Sequence, residues 1–187
     1  MNKSANPQGK GLTRIALLTD IKNLSTAPAK PVRRIASELF TSLFVLQSDF
    51  SFKPVIGQTY WLYRKQQRFC LSLIAPGQWH EEASGKYIGE CCLQSDLTWT
   101  LQLSKYAERD QSIQDYIKDR QQAFATQLEQ AKKLQDCLPV YLPELPFYRR
   151  AFASALASSL ASSMRQSGIA GLNYQQALAL PTSDQDN

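Results

Sequence analysis

The sequence predicts an α+β fold: a four-stranded antiparallel β-meander packed by an N-terminal helix and C-terminal helices. Two observations carry this. Residues 57–103 read as short strands in a row (TYWLYRK, FCLSLIA, KYIGECCLQ and LTWTLQL) and hold all three tryptophans. The flanking segments instead repeat apolar residues at helical spacing. The last strand alternates strictly, with Leu97, Trp99, Leu101 and Leu103 on one side and Thr98, Thr100 and Gln102 on the other, the period of a half-buried strand.

At 187 residues the chain is long enough to bury a core without disulfides. It divides into a basic, partly flexible N-terminal arm over 1–30, a single α+β domain over 31–180 and a disordered tail over 181–187. Within the domain the sequence predicts a helix over 31–47, the sheet over 57–103 and a helical part over 110–180.

Each element has its signal. Residues 1–11 are rich in Asn, Pro and Gly, and GLTRIALLTDIKNL then suits a short helix with Ile15, Leu18 and Ile21 on one face. Pro31 fits the first turn of the next helix, where its missing N–H has no partner to lose. That helix places Ile35, Leu39, Leu43 and Leu46 on one stripe, widened by Phe40 and Phe44. In the sheet, Lys65-Gln66-Gln67-Arg68 is the first turn. It lacks Asn-Gly or Asp-Gly, which predicts a loop longer or looser than two residues. APGQWHEEASG forms the second connection and Ser95-Asp96 the last turn. Consecutive hairpins imply a meander, because parallel strands need long crossovers.

From Asp110 to Cys137 the pattern predicts one long amphipathic helix. Ile113, Ile117, Phe124, Leu128, Ala131 and Leu134 recur on one face, at a near-heptad spacing that also suits helix pairing. Pro139, Pro143 and Pro146 end it. A second helix follows to Gln166, with Phe152, Leu156, Leu160 and Met164 in a stripe flanked by alanines and serines. Gly168 is a C-cap candidate. Asn173 with Gln176 opens a short last helix, giving a plain terminal helical hairpin rather than a DNA-reading pair.

Composition is that of a soluble globular protein, with 43% hydrophobic and 20% charged residues. No run approaches the ~18 apolar residues that cross a bilayer, and no signal-peptide pattern opens the chain. The expectation is a cytoplasmic protein with no membrane insertion. Cys70, Cys91, Cys92 and Cys137 form no C-x-x-C pair and read as reduced, mostly buried small hydrophobes.

No motif assigns a reaction. His80 is the only histidine, which excludes a multi-histidine metal site. There is no G-x-S-x-G elbow, phosphate-binding loop or dinucleotide fingerprint. No catalytic residue, metal ligand or cofactor is therefore assigned. An enzyme with a site near the 75–85 loop, around His80, Glu81 and Glu82, is the least favoured reading. The leading one is a non-enzymatic cytoplasmic protein-interaction module, with another protein or a second copy as partner. Its candidate contacts are Ile35, Leu39 and Leu43 on the first helix and Ile113, Ile117, Phe124 and Leu128 on the long one.

The alternative is an RNA- or ribosome-associated protein. Residues 1–34 carry seven basic residues against Asp20 alone, a formal +6 where the whole chain is +5. Candidate contacts are Lys10, Arg14, Lys30, Arg33 and Arg34 of this arm, joined by Trp61, Tyr63, Arg64, Lys65 and Arg68 of the first hairpin. Alternation puts Tyr60, Leu62 and Arg64 on one face and Trp61, Tyr63 and Lys65 on the other. An exposed face of that kind stacks bases while its cations meet phosphates. Several helices for one small sheet predict instead that both faces are covered.

The string Gly57-x-x-Tyr60-x-Leu62-Tyr63-Arg64, then Phe69-x-Leu71-Ser72-Leu73-Ile74-x-Pro76-x-x-Trp79, then Gly89, Leu93, Asp96 and Thr98-Trp99-Thr100, resembles a small family of bacteria and, in shorter form, of animals. The family is the domain of unknown function twenty-four fifty-two. The resemblance covers residues 50–103. Asn6-Pro7-Gln8-Gly9-Lys10-Gly11-Leu12 and Phe147-Tyr148-Arg149-Arg150 resemble its bacterial branch. It implies no activity. Its aromatics, Gly57, Gly89 and Pro76 read as determinants of the fold.

Overall fold

The computed structural model describes residues 27–78 and 85–180. The chain forms α1 (Val32–Leu46), β1 (Thr59–Lys65), β2 (Arg68–Ser72), β3 (Lys86–Leu93) and β4 (Trp99–Leu103). There follow α2 (Lys105–Arg109), α3 (Gln111–Gln130), a 3-10 turn (Leu134–Cys137), α4 (Phe147–Gln166) and α5 (Tyr174–Leu178). It is an α+β fold, with a four-stranded antiparallel sheet between an N-terminal helix and C-terminal helices. Residues 1–26 of the arm expected over 1–30, with its short helix, the His80-Glu81-Glu82 loop and the tail over 181–187 lie outside the described residues.

The sheet runs in the order β2-β1-β3-β4, not in the consecutive order of a simple meander. β3 returns past β2 and pairs with β1. The far edge of β2 is already occupied: Asp49 N–H donates to Phe69 O (2.8 Å) and Asp49 O accepts from Leu71 N–H (2.9 Å). With that edge closed, the open edge of β1 is the place for a third strand. Gly89 makes the β3–β4 pairing close, since a Cβ there would lie 2.2 Å from the Gln102 carbonyl oxygen.

The first hairpin is tighter than its sequence predicts. Lys65 pairs with Arg68, leaving only Gln66-Gln67 in the turn, and Gln66 takes a φ of 57° in the left-handed region. A glutamine there carries the steric cost that glycine would avoid. Cross-strand pairing on both sides of β1 sets the geometry over the local preference.

The long helix predicted over 110–137 is shorter. Ser104 caps α2 by accepting from Ala107 N–H, and Asp110 then caps α3 by accepting from Ile113 N–H. α3 ends at Gln130. Beyond it Lys133 N–H donates to Asp136 Oδ2 (3.1 Å), and Leu134 N–H donates to Leu172 O (2.9 Å). This long-range bond to the turn before α5 draws residues 134–137 out of the helical path.

The core lies between the sheet and its helices. Ile35, Leu39, Val45 and Leu46 of α1 are buried with Tyr60, Leu62, Ile88, Leu93 and Trp99 of the sheet. Phe69 meets Phe44 at 5.1 Å and Tyr116 at 5.3 Å between ring centroids, seating α1 and α3 on the same face. α4 packs on α1, helped by its small residues Ala153, Ala157 and Ser163. Ser163 Oγ donates to Pro28 O (2.6 Å), and Ser167 Oγ accepts from Lys30 N–H (2.8 Å). Lys30 itself is buried. Its Nζ bonds Glu38 of α1 (2.5 Å) and Asp96 of the β3–β4 turn, tying helix to sheet.

Candidate functional site

Strand register sorts the sheet into two faces. Tyr60, Leu62 and Arg64 align with Phe69 and Leu71 of β2, with Cys91 and Leu93 of β3, and with Trp99 and Leu101 of β4. This is the face under α1 and α3. The opposite face carries Trp61 beside Ser72 and Glu90, then Tyr63 beside Cys70 and Tyr87, then Lys65 beside Arg68. Cys92, Thr100 and Gln102 extend it across β3 and β4.

No described helix lies across this second face. Lys65, Arg68, Cys70, Glu90, Thr100 and Gln102 all stand exposed, and Trp61 is half-buried. Among the described residues helices cover one face only; the short helix expected before residue 27 lies outside them. One end of the face is sheltered by the chain leaving β2. Tyr63 is buried there, its hydroxyl donating to Ile74 O (2.9 Å), while Ser72 Oγ accepts from Ile74 N–H (3.0 Å). Tyr87 packs on Tyr63 at 5.7 Å between centroids.

The titrations follow this shelter. Burial, with Glu90 and Tyr63 nearby, pushes the Tyr87 phenol up to about 12. Burial also raises Tyr63. On the covered face burial, with Cys92 adding, pushes the Cys91 thiol up to about 12, so it stays protonated and inert. Cys70 is raised by burial and by Asp49 although its residue is exposed, which argues against a reactive thiolate. No group of three or more metal-ligating side chains occurs among the described residues. No described helix is long and apolar enough to cross a membrane.

The structure separates the residues that the sequence suggested for nucleic acid. Lys10 and Arg14 lie outside the described residues. Lys30 is committed to Glu38 and Asp96 in the interior, and Arg34 pairs with Glu38 (2.9 Å) while Arg33 is exposed. Arg64 faces the helices: its guanidinium lies 5.8 Å from the rings of both Phe69 and Tyr116, and Nη1 donates to Ser112 Oγ (3.2 Å). Among the described candidates only Trp61, Tyr63, Lys65 and Arg68 share the open face, and Arg68 pairs with Asp49 (2.8 Å).

The suggested protein-contact residues are placed inward. Ile35, Leu39, Ile113 and Leu128 are buried in the chain's own core. Leu43, Ile117 and Phe124 are half-buried against it, Phe124 meeting Phe40 at 5.7 Å between centroids. The apolar stripes of α1 and α3 meet the sheet and each other, so little of either is left for another chain.

Two clusters escaped the sequence reading. Arg149 lies over Phe50 (5.2 Å), with Nη1 donating to Ser48 O (2.5 Å), and so anchors α4 to the end of α1. The Phe147-Tyr148-Arg149-Arg150 stretch was its one signal. Lys86 stands 5.2 Å from the Tyr106 ring, whose hydroxyl donates to Asp110. That bond leads the forces holding the Asp110 carboxyl below its ordinary value. Nothing in the sequence marks this trio, because it joins β3 to a helix cap.

The chain belongs to the family described as Protein of unknown function (DUF2452), whose model matches residues 20–135. That span contains α1, the whole sheet, α2 and α3, and so both faces. No curated protein and no solved structure matches the chain.

Proposed function

We infer that this chain is a non-enzymatic interaction module that binds a protein partner on the face of its sheet that no described helix covers. One observation carries the reading: Trp61 stands half-buried on a face that no described helix covers, beside Ser72 and the exposed Glu90. A large aromatic anchor within a polar rim is the composition of a protein-contact hot spot. The helix stripes cannot supply this surface, since they already fill the core. Cytoplasmic location belongs to the same reading.

RNA or ribosome binding is the second reading, and it has its own support. Lys65 and Arg68 lie on the face that carries Trp61 and Tyr63, and the chain before α1 is basic. The charges weigh against it. Glu90 sits directly opposite Trp61 and repels phosphate, and Arg68 already has a carboxylate partner.

The test is a tagged pull-down from native lysate with wild type, Trp61→Ala and Tyr141→Ala, each split into nuclease-treated and untreated halves. Tyr141 is 71% exposed and lies outside the sheet. The expected result is a nuclease-resistant partner lost with Trp61→Ala and kept with Tyr141→Ala. A partner equally retained by Trp61→Ala overturns the reading. One that vanishes with nuclease moves the assignment to nucleic acid.

A further inference from the structure

The two edges of the sheet are finished differently. The β2 edge is closed by Asp49 through two backbone bonds. β4 forms the other edge. Gln94 N–H donates to Thr98 O, and Ser104 N–H donates to Ile88 O. Even-numbered residues of β4 therefore turn their backbone groups toward β3, and Trp99, Leu101 and Leu103 turn theirs outward. The Trp99 N–H is taken by Ser42 Oγ of α1 (2.9 Å). Among the described residues nothing bonds the outward N–H and C=O of Leu101 and Leu103.

Edge strands left open in this way usually carry a defence, such as a charged side chain, a proline or a bulge. β4 has none: Trp99-Thr100-Leu101-Gln102-Leu103 is uncharged, and its pairing with β3 is regular. Its side chains also leave work undone, for Leu101 and Leu103 are half-buried at the rim of the core.

We propose that β4 pairs antiparallel with β4 of a second copy of this chain, about a two-fold axis at Gln102. In that register Leu101 of one copy exchanges both backbone bonds with Leu103 of the other, and the two-fold repeats the exchange. The blocked Trp99 N–H is not needed. Leu101 and Leu103 of both copies meet on the helix-covered face and extend its core. On the open face Gln102 meets Gln102, and Thr100 meets Ser104. No charge meets a like charge, which is the complementarity a strand needs to pair with itself. A shift of one residue brings the helix face of one copy against the open face of the other. The continuous sheet that results joins the two open faces into one surface.

Sedimentation equilibrium of the full chain at micromolar concentration tests this, with Gln102→Lys and Gln102→Cys beside wild type. Gln102 is exposed, so both variants keep the monomer fold, as circular dichroism checks. Wild type is expected to be a dimer. Gln102→Lys sets two ammonium groups face to face and raises the dissociation constant at least tenfold in low salt, with recovery as salt screens them. Gln102→Cys is expected to form a disulfide-linked dimer on mild oxidation, because self-opposed residues at a non-bonded site lie within bridging distance. Thr100→Cys, opposite serine in this register, gives the background from the native cysteines. A monomeric wild type overturns the proposal, as does a dimer indifferent to Gln102→Lys with no excess cross-linking at Gln102→Cys. An extended peptide from another protein on this edge gives the first of these results.

Discussion

The sheet shows two faces built from the same strands and differently covered. On one, Tyr60, Leu62, Leu93 and Trp99 are all but inaccessible beneath α1 and α3. On the other, Tyr63 and Ser72 are sheltered by the chain leaving β2, Trp61 is half-buried, and Cys70, Glu90, Thr100 and Gln102 stand exposed. Alternation alone creates the two sets. What differs among the described residues is the cover: helices on one side, a short stretch of chain after β2 on the other. Burial on the first face stabilises the fold. On the proposed reading, Trp61, half-buried on the second face under no described helix, contributes less to folding than to binding.

The tryptophan pair is the sharpest way to break this contrast. Trp99 is 1% exposed, and Trp99→Ala should cost ~3–5 kcal/mol in denaturant unfolding. Trp61→Ala should cost roughly 1 kcal/mol while abolishing partner capture. Equal losses of stability would erase the distinction between the faces.

Lys30 comes next, because it closes the covered side. Lys30→Ala leaves the half-buried Glu38 and Asp96 carboxylates without their shared cation and should cost ~1–3 kcal/mol at neutral pH. Burial works to raise the Asp96 carboxyl, but hydrogen bonds from Lys30 and Thr98 outweigh it and hold the group below its ordinary value. A depressed folded value means this stabilisation is present above the ordinary carboxylate range and is lost as pH falls through and below it. The wild-type advantage over Lys30→Ala should therefore shrink in acid, as urea midpoints between pH 7 and pH 3 would show.

A loss of similar size is expected at the tight β3–β4 contact. Gly89→Ala drives a Cβ into the Gln102 carbonyl and should cost ~1–3 kcal/mol. It should also loosen β4, which amide exchange at Thr100 and Gln102, whose backbone groups face β3, would report. Unchanged exchange would mean that β4 is held by α1 and not by β3.

Much of this arrangement is legible in the sequence. The separation of Tyr60, Leu62 and Arg64 from Trp61 and Tyr63 follows from a period of two, and the α1 stripe and the Asn173–Gln176 cap follow from local spacing. Three features are not legible, each for the same reason. The strand order depends on Asp49 closing the β2 edge, the end of α3 on Leu134 reaching Leu172, and the interior position of Lys30 on two carboxylates distant in sequence. Long-range contacts decide these, and local pattern carries no record of them. Lys30 and Arg64 looked like surface cations because charge alone does not say which side of a fold it will face.

The degree of shelter over the open face is itself measurable, through Tyr87. Its phenol stands on that face, yet burial, with Glu90 and Tyr63, holds its titration at about 12. A folded value above the ordinary tyrosine value of ~10 means its stabilisation is intact below that point and is lost as pH rises toward about 12. Tyr87→Phe should therefore flatten the alkaline fall in stability between those limits and change little at neutral pH. Direct ultraviolet titration of wild type minus Tyr87→Phe should show one phenol ionising late. If that phenol instead ionises near its ordinary value, solvent reaches this end of the face freely. The shelter over Tyr63 then ends before Tyr87, and the surface offered to a partner extends from Trp61 across the whole face.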